Sequence, residues 1–387
     1  MRLLTLVTDA FGGRGGIAKF NRDLLASLCS YPATTEVVAL PRVMTEAVTR
    51  PVPERLSYRP ESAGSKAGYA RAVVQTLATG GRFDGVVCGH LNLLPLAALA
   101  AAWKRAPLLL IIHGIDAWRP PEGGVMAGLT RRAIGRVDAF VAVSGVTKGR
   151  FLAWSGLADA QGFVVPNCID TSGFGPGPRR ADLLARYGLE GKRTLLTLGR
   201  MSAAERYKGF DETMEAVAAL AVDHPDLAYL VCGDGDDRPR LEQKARDLGI
   251  ADRVVFAGYI PEAEKADHYR LADAFVMPGR GEGFGIVYLE ALACGVPVVA
   301  SSLDASREAV RDGALGEVVD PGDAASVRRG ILGALATEHD GIPAGLSYFS
   351  FERFEKRWHR VASEVFDRPT AEPSHRPSQS AAGGEPA

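Results

Sequence analysis

The chain has 387 residues, 47% of them hydrophobic and 24% charged, which excludes a disulfide-stapled mini-protein, a collagen-like repeat and a wholly disordered polypeptide. At roughly 100–200 residues per domain the length predicts two or three domains, and 44 glycines with only 7% aromatic residues fit an α/β enzyme better than a β-sandwich. A net charge of −1, from 45 Lys+Arg against 46 Asp+Glu, speaks against a protein whose task is gripping nucleic acid.

The charge is uneven along the chain. Through Gly175 there are 19 Lys+Arg and 12 Asp+Glu, a net of +7, and the remainder carries −8. A basic front half suits either a solvated surface or contact with an anionic partner or membrane face. Cys29, Cys88, Cys168, Cys232 and Cys294 lie far apart with no CxxC spacing, which predicts reduced thiols and a cytoplasmic setting. The opening run MRLLTLVTDA is too short for a signal-peptide core. Residues 86–103 carry no formal charge but are broken by His90, Asn92 and Pro95, so they read as strand, loop and helix rather than as a membrane span.

In chain order, the apolar runs 3–8, 37–40, 85–89, 107–114, 139–144 and 162–167 alternate with helix-length segments. Runs without polar alternation are what a parallel sheet covered on both faces requires. Gly and Pro crowd at 172–182, and a second series follows at 194–199, 228–233, 253–258, 273–279, 296–301 and 316–320. The expectation is two doubly wound domains, 1–172 and 173–350. An amphipathic helix at 351–366, with Phe351, Phe354, Trp358, Val361 and Val365 on one stripe, needs a surface to cover and is placed back toward the first domain. The Pro/Ser/Gly-rich stretch 367–387 reads as a disordered tail.

Ligands of open α/β sheets bind beyond the carboxyl ends of strands, so residues just after strands carry the most information. Gly15 and Gly16, in GGRGGIAKF after the first strand, let backbone approach a phosphate or an acceptor closely. His113 and Asp116, in IIHGIDAW, follow a strand, where the plainer reading is a satisfied interface histidine and a helix cap. In GDGDD, Asp234 and Asp236 read as a turn with helix-start acids rather than as a metal motif, and no metal is expected. The strongest segment is PGRGEGFGIVYLEALACGVPVVAS, residues 278–301. There a strand ends in a glycine-rich loop carrying Glu282, and a helix begins near Phe284 with Glu290 about two turns on. The amides of Gly283, Phe284, Gly285 and Ile286 at that helix N-terminus form an anion site suited to a diphosphate, and an ionised carboxylate beside it accepts hydrogen bonds from sugar or ribose hydroxyls.

Glu282 followed eight residues later by Glu290 resembles the signature of the retaining family-four glycosyltransferases of the GT-B fold, in which two Rossmann-like domains face each other across a cleft. The resemblance spans residues 1–366. It implies that Glu282 lies by the donor sugar, Glu290 holds the nucleotide ribose, and residues 284–286 meet the diphosphate. Within TLGRMSAAERYKGFD it makes Arg200 and Lys208 the cations that neutralise the leaving diphosphate, and within GYIPEAEK it points to Gly258 and Tyr259 near the nucleobase. It adds Gly15 and Gly16 as the acceptor-side loop, with Gly16 also near the donor, and His113 with Asp116 beside the sugar. The implied activity is transfer of a hexose from a nucleotide-diphosphate sugar to a glycan or polyprenyl-linked acceptor in cell-envelope or exopolysaccharide synthesis, with neither cofactor nor metal. The implied setting is cytoplasmic, with association at the inner membrane face left open. A non-catalytic nucleotide-sugar binder, and an epimerase or phosphorylase of the same fold, remain alternatives on motifs alone. A dinucleotide oxidoreductase is a further alternative, which would need a Gly-x-Gly-x-x-Gly turn with an acid about 20 residues on, and neither half shows that cleanly.

Overall fold

The computed structural model describes residues 1–338 and 341–367; all but the first residue of the predicted disordered tail lie outside these. The uninterrupted apolar runs form two parallel sheets. The first contains β1 (Arg2–Val7), β2 (Glu36–Pro41), β3 (Leu56–Tyr58), β4 (Gly85–Cys88), β5 (Leu108–Ile112), β6 (Ala139–Ala142) and β7 (Gly162–Val164), in the order β3-β2-β1-β4-β5-β6-β7. The second contains β8 (Arg193–Leu198), β9 (Leu227–Cys232), β10 (Val254–Gly258), β11 (Ala274–Val276), β12 (Val298–Ser301) and β13 (Glu317–Val319), in the order β10-β9-β8-β11-β12-β13. Every strand pair is parallel, so right-handed helical crossovers must cover both faces. Central strands such as β5 and β9 are buried along their whole length, as that arrangement demands. The edge strand β3 is absent from the apolar pattern because it is only three half-buried residues long.

In each sheet the strand order reverses beside the first strand, between β1 and β4 and between β8 and β11. These reversals open crevices at the strands' carboxyl ends. The helix Phe351–Phe366 returns to the first domain and packs on the helix Gly16–Ser30. Phe354 and Trp358 are fully buried there, with ring centroids 5.6 and 6.2 Å from that of Phe20 in edge-to-face geometry. The chain thus passes between the domains twice, and the two passages are bridged where Ile169 N donates to Phe349 O at 2.9 Å.

The domains touch through polar contacts along the cleft. Ser144 Oγ donates to Gly283 O at 2.7 Å, and Arg150 Nη2 to Leu303 O at 3.0 Å. Glu308, from the second domain, accepts from the amides of Gly145 and Val146, both at 2.8 Å. That carboxylate therefore caps the helix Gly145–Ser155 of the first domain, where its charge also meets the helix dipole.

Candidate active site

The helix Ile286–Ala293 starts beyond β11 with Gly285 at φ +86 and no side-chain cap, which leaves the amides of its first turn without a side-chain acceptor. Across the cleft stands the glycine loop. A Cβ built on Gly16 would lie 3.8 Å from Ile286 Cγ2, so the loop after β1 abuts this helix N-terminus. The loop carrying Glu282 is clamped from residues that the sequence reading did not single out. Asp304 Oδ2 accepts from Glu282 N at 2.9 Å, and Ala305 N donates to Glu282 O at 3.0 Å. Asp304 is itself held by the Ser306 amide and hydroxyl at 3.0 and 2.6 Å.

Glu282 Oε1 accepts from Lys208 Nζ at 2.8 Å. Lys208 also faces Glu205 at 3.8 Å, and Glu205 in turn accepts from Arg200. Burial works against the Lys208 ammonium, but the charges of Glu282 and Glu205 outweigh it and hold its pKa above the ordinary lysine value. Two residues expected to serve separate parts of a donor are therefore directly paired. Arg200 sits at the outer end of this chain of charges with its side chain 77% exposed.

Glu290 is almost fully buried. One oxygen accepts from Tyr269 Oη at 2.8 Å and the other lies 3.5 Å from Lys265 Nζ. Lys265 is also paired with Glu262 at 3.0 Å. Burial raises the Glu290 pKa, and the attraction of Lys265 and the Tyr269 hydrogen bond offset it only in part. A raised folded-state pKa means that the folded chain holds the proton more tightly than the unfolded one. The ionised carboxylate is then a net cost that is absent below the ordinary value of 4.5 and grows as pH rises through the folded value. Glu290→Gln is accordingly expected to melt at or above the wild-type temperature at pH 7.5, with the difference closing toward pH 4.5. Melting curves across that range check it, and a variant that melts lower at every pH contradicts it.

On the first domain, His113 follows β5 and its Nε2 donates to Gly89 O at 2.9 Å, which fixes Nδ1 as the acceptor of the neutral ring. Burial depresses its pKa despite the opposing charge of Asp116. Its backbone meets the second domain: a Cβ on Gly283 would lie 2.0 Å from His113 O, and one on Gly114 would lie 2.7 Å from Gly283 Cα. Asp116 Oδ2 is buried without a hydrogen-bond partner, 3.6 Å from His90 Nε2. His90, buried just beyond β4 at the strand-order reversal, escaped the sequence reading although its position after a strand was the available signal. Its Nδ1 accepts from Asn92 N at 3.1 Å, so Nε2 carries the proton toward Asp116.

Gly258 ends β10 at φ +77. Tyr259 is 57% exposed, and the Arg14 guanidinium of the glycine loop lies 5.3 Å from its ring centroid. Asp234 and Asp236 are engaged as turn acids, accepting from the amides of Gly235 at 2.9 Å and Ala203 at 2.8 Å. Among the described residues no group of three His, Cys, Asp or Glu is placed to hold a metal ion. All five cysteines are free and buried. No described helix is long and apolar enough to cross a membrane.

Two parallel α/β domains facing across a cleft, with an uncapped helix N-terminus and flanking carboxylates on it, make up the GT-B architecture. The Glycosyltransferase Family 4 model matches residues 14–172, and the Glycosyl transferases group 1 model matches residues 182–341. A GDP-mannose-dependent alpha-(1-6)-phosphatidylinositol monomannoside mannosyltransferase of Mycolicibacterium smegmatis is 35% identical over 268 residues, covering 65% of this chain and 68% of the relative. Its namesake in Mycobacterium tuberculosis is 31% identical, covering 71% of each. A phosphatidyl-myo-inositol mannosyltransferase of M. smegmatis is 32% identical, covering 74% of this chain and 70% of the relative. Among solved structures, HepE of Anabaena with UDP-glucose superposes with a TM-score of 0.73 at 19% identity, over 94% of this chain and all of that one. The chain belongs to the family-four glycosyltransferases of the GT-B fold.

Proposed function

We propose that this glycosyltransferase moves mannose from GDP-mannose to a hydroxyl of a phosphoinositide-type glycolipid, with retention at the anomeric carbon and without a metal. The donor and acceptor class follow the mannosyltransferase relatives. The observation that carries the reading is local: the Lys208–Glu282 pair lies beside an uncapped helix N-terminus that the Gly15–Gly16 loop faces.

In this reading the first amides of the helix Ile286–Ala293 and the ammonium of Lys208 take up the charge that develops on the departing diphosphate. Arg200, at the open end of the network, reaches the same charge from solvent. Glu282 orients the sugar, and Glu290 accepts from the ribose hydroxyls. With no carboxylate assigned as a nucleophile, the acceptor hydroxyl attacks on the face that the diphosphate leaves, and a phosphate oxygen takes its proton. His113, neutral at physiological pH, and Asp116 border the sugar from the first domain. Gly258 and Tyr259 border the base.

The first domain also supports association with an anionic membrane face. Trp103 and Leu99 on the helix Leu94–Lys104, and Val125, Met126 and Leu129 on the adjoining helix Gly124–Ile134, are exposed. Lys104, Arg131 and Arg132 lie on the same two helices. Apolar side chains among cations suit a surface of acidic lipid.

The test is nucleotide release from GDP-, UDP- and ADP-sugars in EDTA, with vesicles of phosphatidylinositol or phosphatidylcholine, and proton NMR of the product's anomeric centre. The expected result is GDP release from GDP-mannose, stimulated by phosphatidylinositol, and an α-mannoside. Product of inverted configuration, or turnover only with added metal, would overturn the mechanism. Donor binding with no turnover under any condition would make the chain a sensor.

A further inference from the structure

A second cavity, of about 480 Å³, opens beside the donor cleft and is lined by Ile115, Trp118, Arg119, Arg150 and Arg280. Three arginines are among its lining residues, and no carboxylate is. Two are preset. Arg150 lies 3.8 Å from the Trp118 ring centroid while donating to Leu303 O. Trp118 is fixed in turn by its Nε1 donating to Thr147 Oγ1 at 3.1 Å. Arg280 donates to Pro321 O at 2.7 Å and pairs with Glu212 at 3.3 Å. Arg119 is exposed and has neither a hydrogen-bond nor an ion-pair partner among the described residues.

Arg119 and Arg150 have no carboxylate paired to them among the described residues, and an anion placed between them would accept several donors in forked geometry. The cavity's place gives the anion a role. Ile115 adjoins Gly114, whose backbone rests on Gly283, and Arg280 lies two residues before Glu282. The cavity therefore borders the loop that carries Glu282 and takes its walls from both domains. We propose that it binds the phosphate group of the acceptor, so that the enzyme selects a phosphate-bearing polyol over the bare polyol. This rests on the glycosyltransferase reading above and specifies its acceptor. The phosphate comes either from a lipid headgroup, as a diester, or from a free polyol phosphate, as a monoester.

The experiment is calorimetric titration of the full chain with myo-inositol, myo-inositol 1-phosphate and glycerophosphoinositol, in the presence of GDP. Both phosphorylated probes, or one of them, should bind at least about tenfold more tightly than myo-inositol, and Arg119→Gln should remove about tenfold of that preference. Preference for the diester assigns a lipid headgroup, and preference for the monoester a free phosphate. Arg119→Lys, which keeps the charge but loses the planar fork, should fall between, an ordering that a purely structural role for Arg119 would not produce. Arg246→Gln, a change of the same charge at an exposed helix position outside the cavity lining, should match wild type. Equal binding of all three probes, or an undiminished preference in Arg119→Gln, overturns the proposal. GDP titrated alone reports on the donor site separately: failure of GDP to bind counts against the proposed function, whereas the phosphate preference is read without it.

Discussion

Glu282→Gln is expected to lower the rate of mannosyl transfer on the order of 10²–10³-fold while leaving GDP bound with nearly wild-type affinity. The substitution keeps shape and volume but removes the charge that Lys208 meets at 2.8 Å and replaces an acceptor-only carboxylate with an amide. The loop itself should not move, because the clamps on Glu282 are made by its backbone N and O with Asp304 and Ala305. Lys208 keeps a partner in Glu205. The loss should therefore appear in kcat far more than in nucleotide affinity, since the role proposed for Glu282 is toward the sugar rather than the diphosphate. Steady-state kinetics with GDP titrations separate the two, and a variant whose defect lies wholly in GDP affinity would reassign Glu282 to nucleotide binding.

Gly283→Ala is expected to cost at least about 10²-fold in kcat/KM by a different route. Its Cβ would sit 2.0 Å from His113 O and 2.7 Å from Gly114 Cα, atoms of the opposite domain's backbone that have no rotamer to retreat into. The cheapest relief is separation of the domains, which would break the Ser144–Gly283 and Thr147–Gly283 hydrogen bonds and draw His113 away from Glu282. Each sheet keeps its core, so the melting temperature should fall little while the radius of gyration in solution scattering rises. Gly149→Ala, exposed within a helix and with nothing within 4 Å of the added carbon, is the control expected to leave activity unchanged. Wild-type activity in Gly283→Ala would show that the domain contact is dispensable.

The two sheets were legible because fully buried parallel strands must be apolar on both faces, and that leaves an unmistakable run in the sequence. The Glu282 and Glu290 positions were legible because loop, helix start and second turn lie within one continuous segment. What was not legible comes together from distant segments. Asp304 reaches the Glu282 amide across 22 residues. Tyr269 and Lys265 converge on Glu290 from a short helix before β11. The cavity joins Arg119, Arg150 and Arg280 from three parts of the chain and both domains. No local spacing encodes such meetings: the first two depend on how loops and helices of the second domain pack together, and the third on the closure of the cleft. His90 is an intermediate case: its place after a central strand was visible, but its approach to Asp116 depends on how the β4 and β5 loops lie against one another.

The most direct test of the central claim is GDP release from GDP-mannose by wild type and Glu282→Gln in EDTA, at saturating donor and with phosphatidylinositol vesicles. The account predicts steady release by wild type that is undiminished by the chelator and reduced on the order of 10²–10³-fold in the variant. Equal release by both proteins, or release abolished by EDTA and restored by a divalent metal, would contradict it.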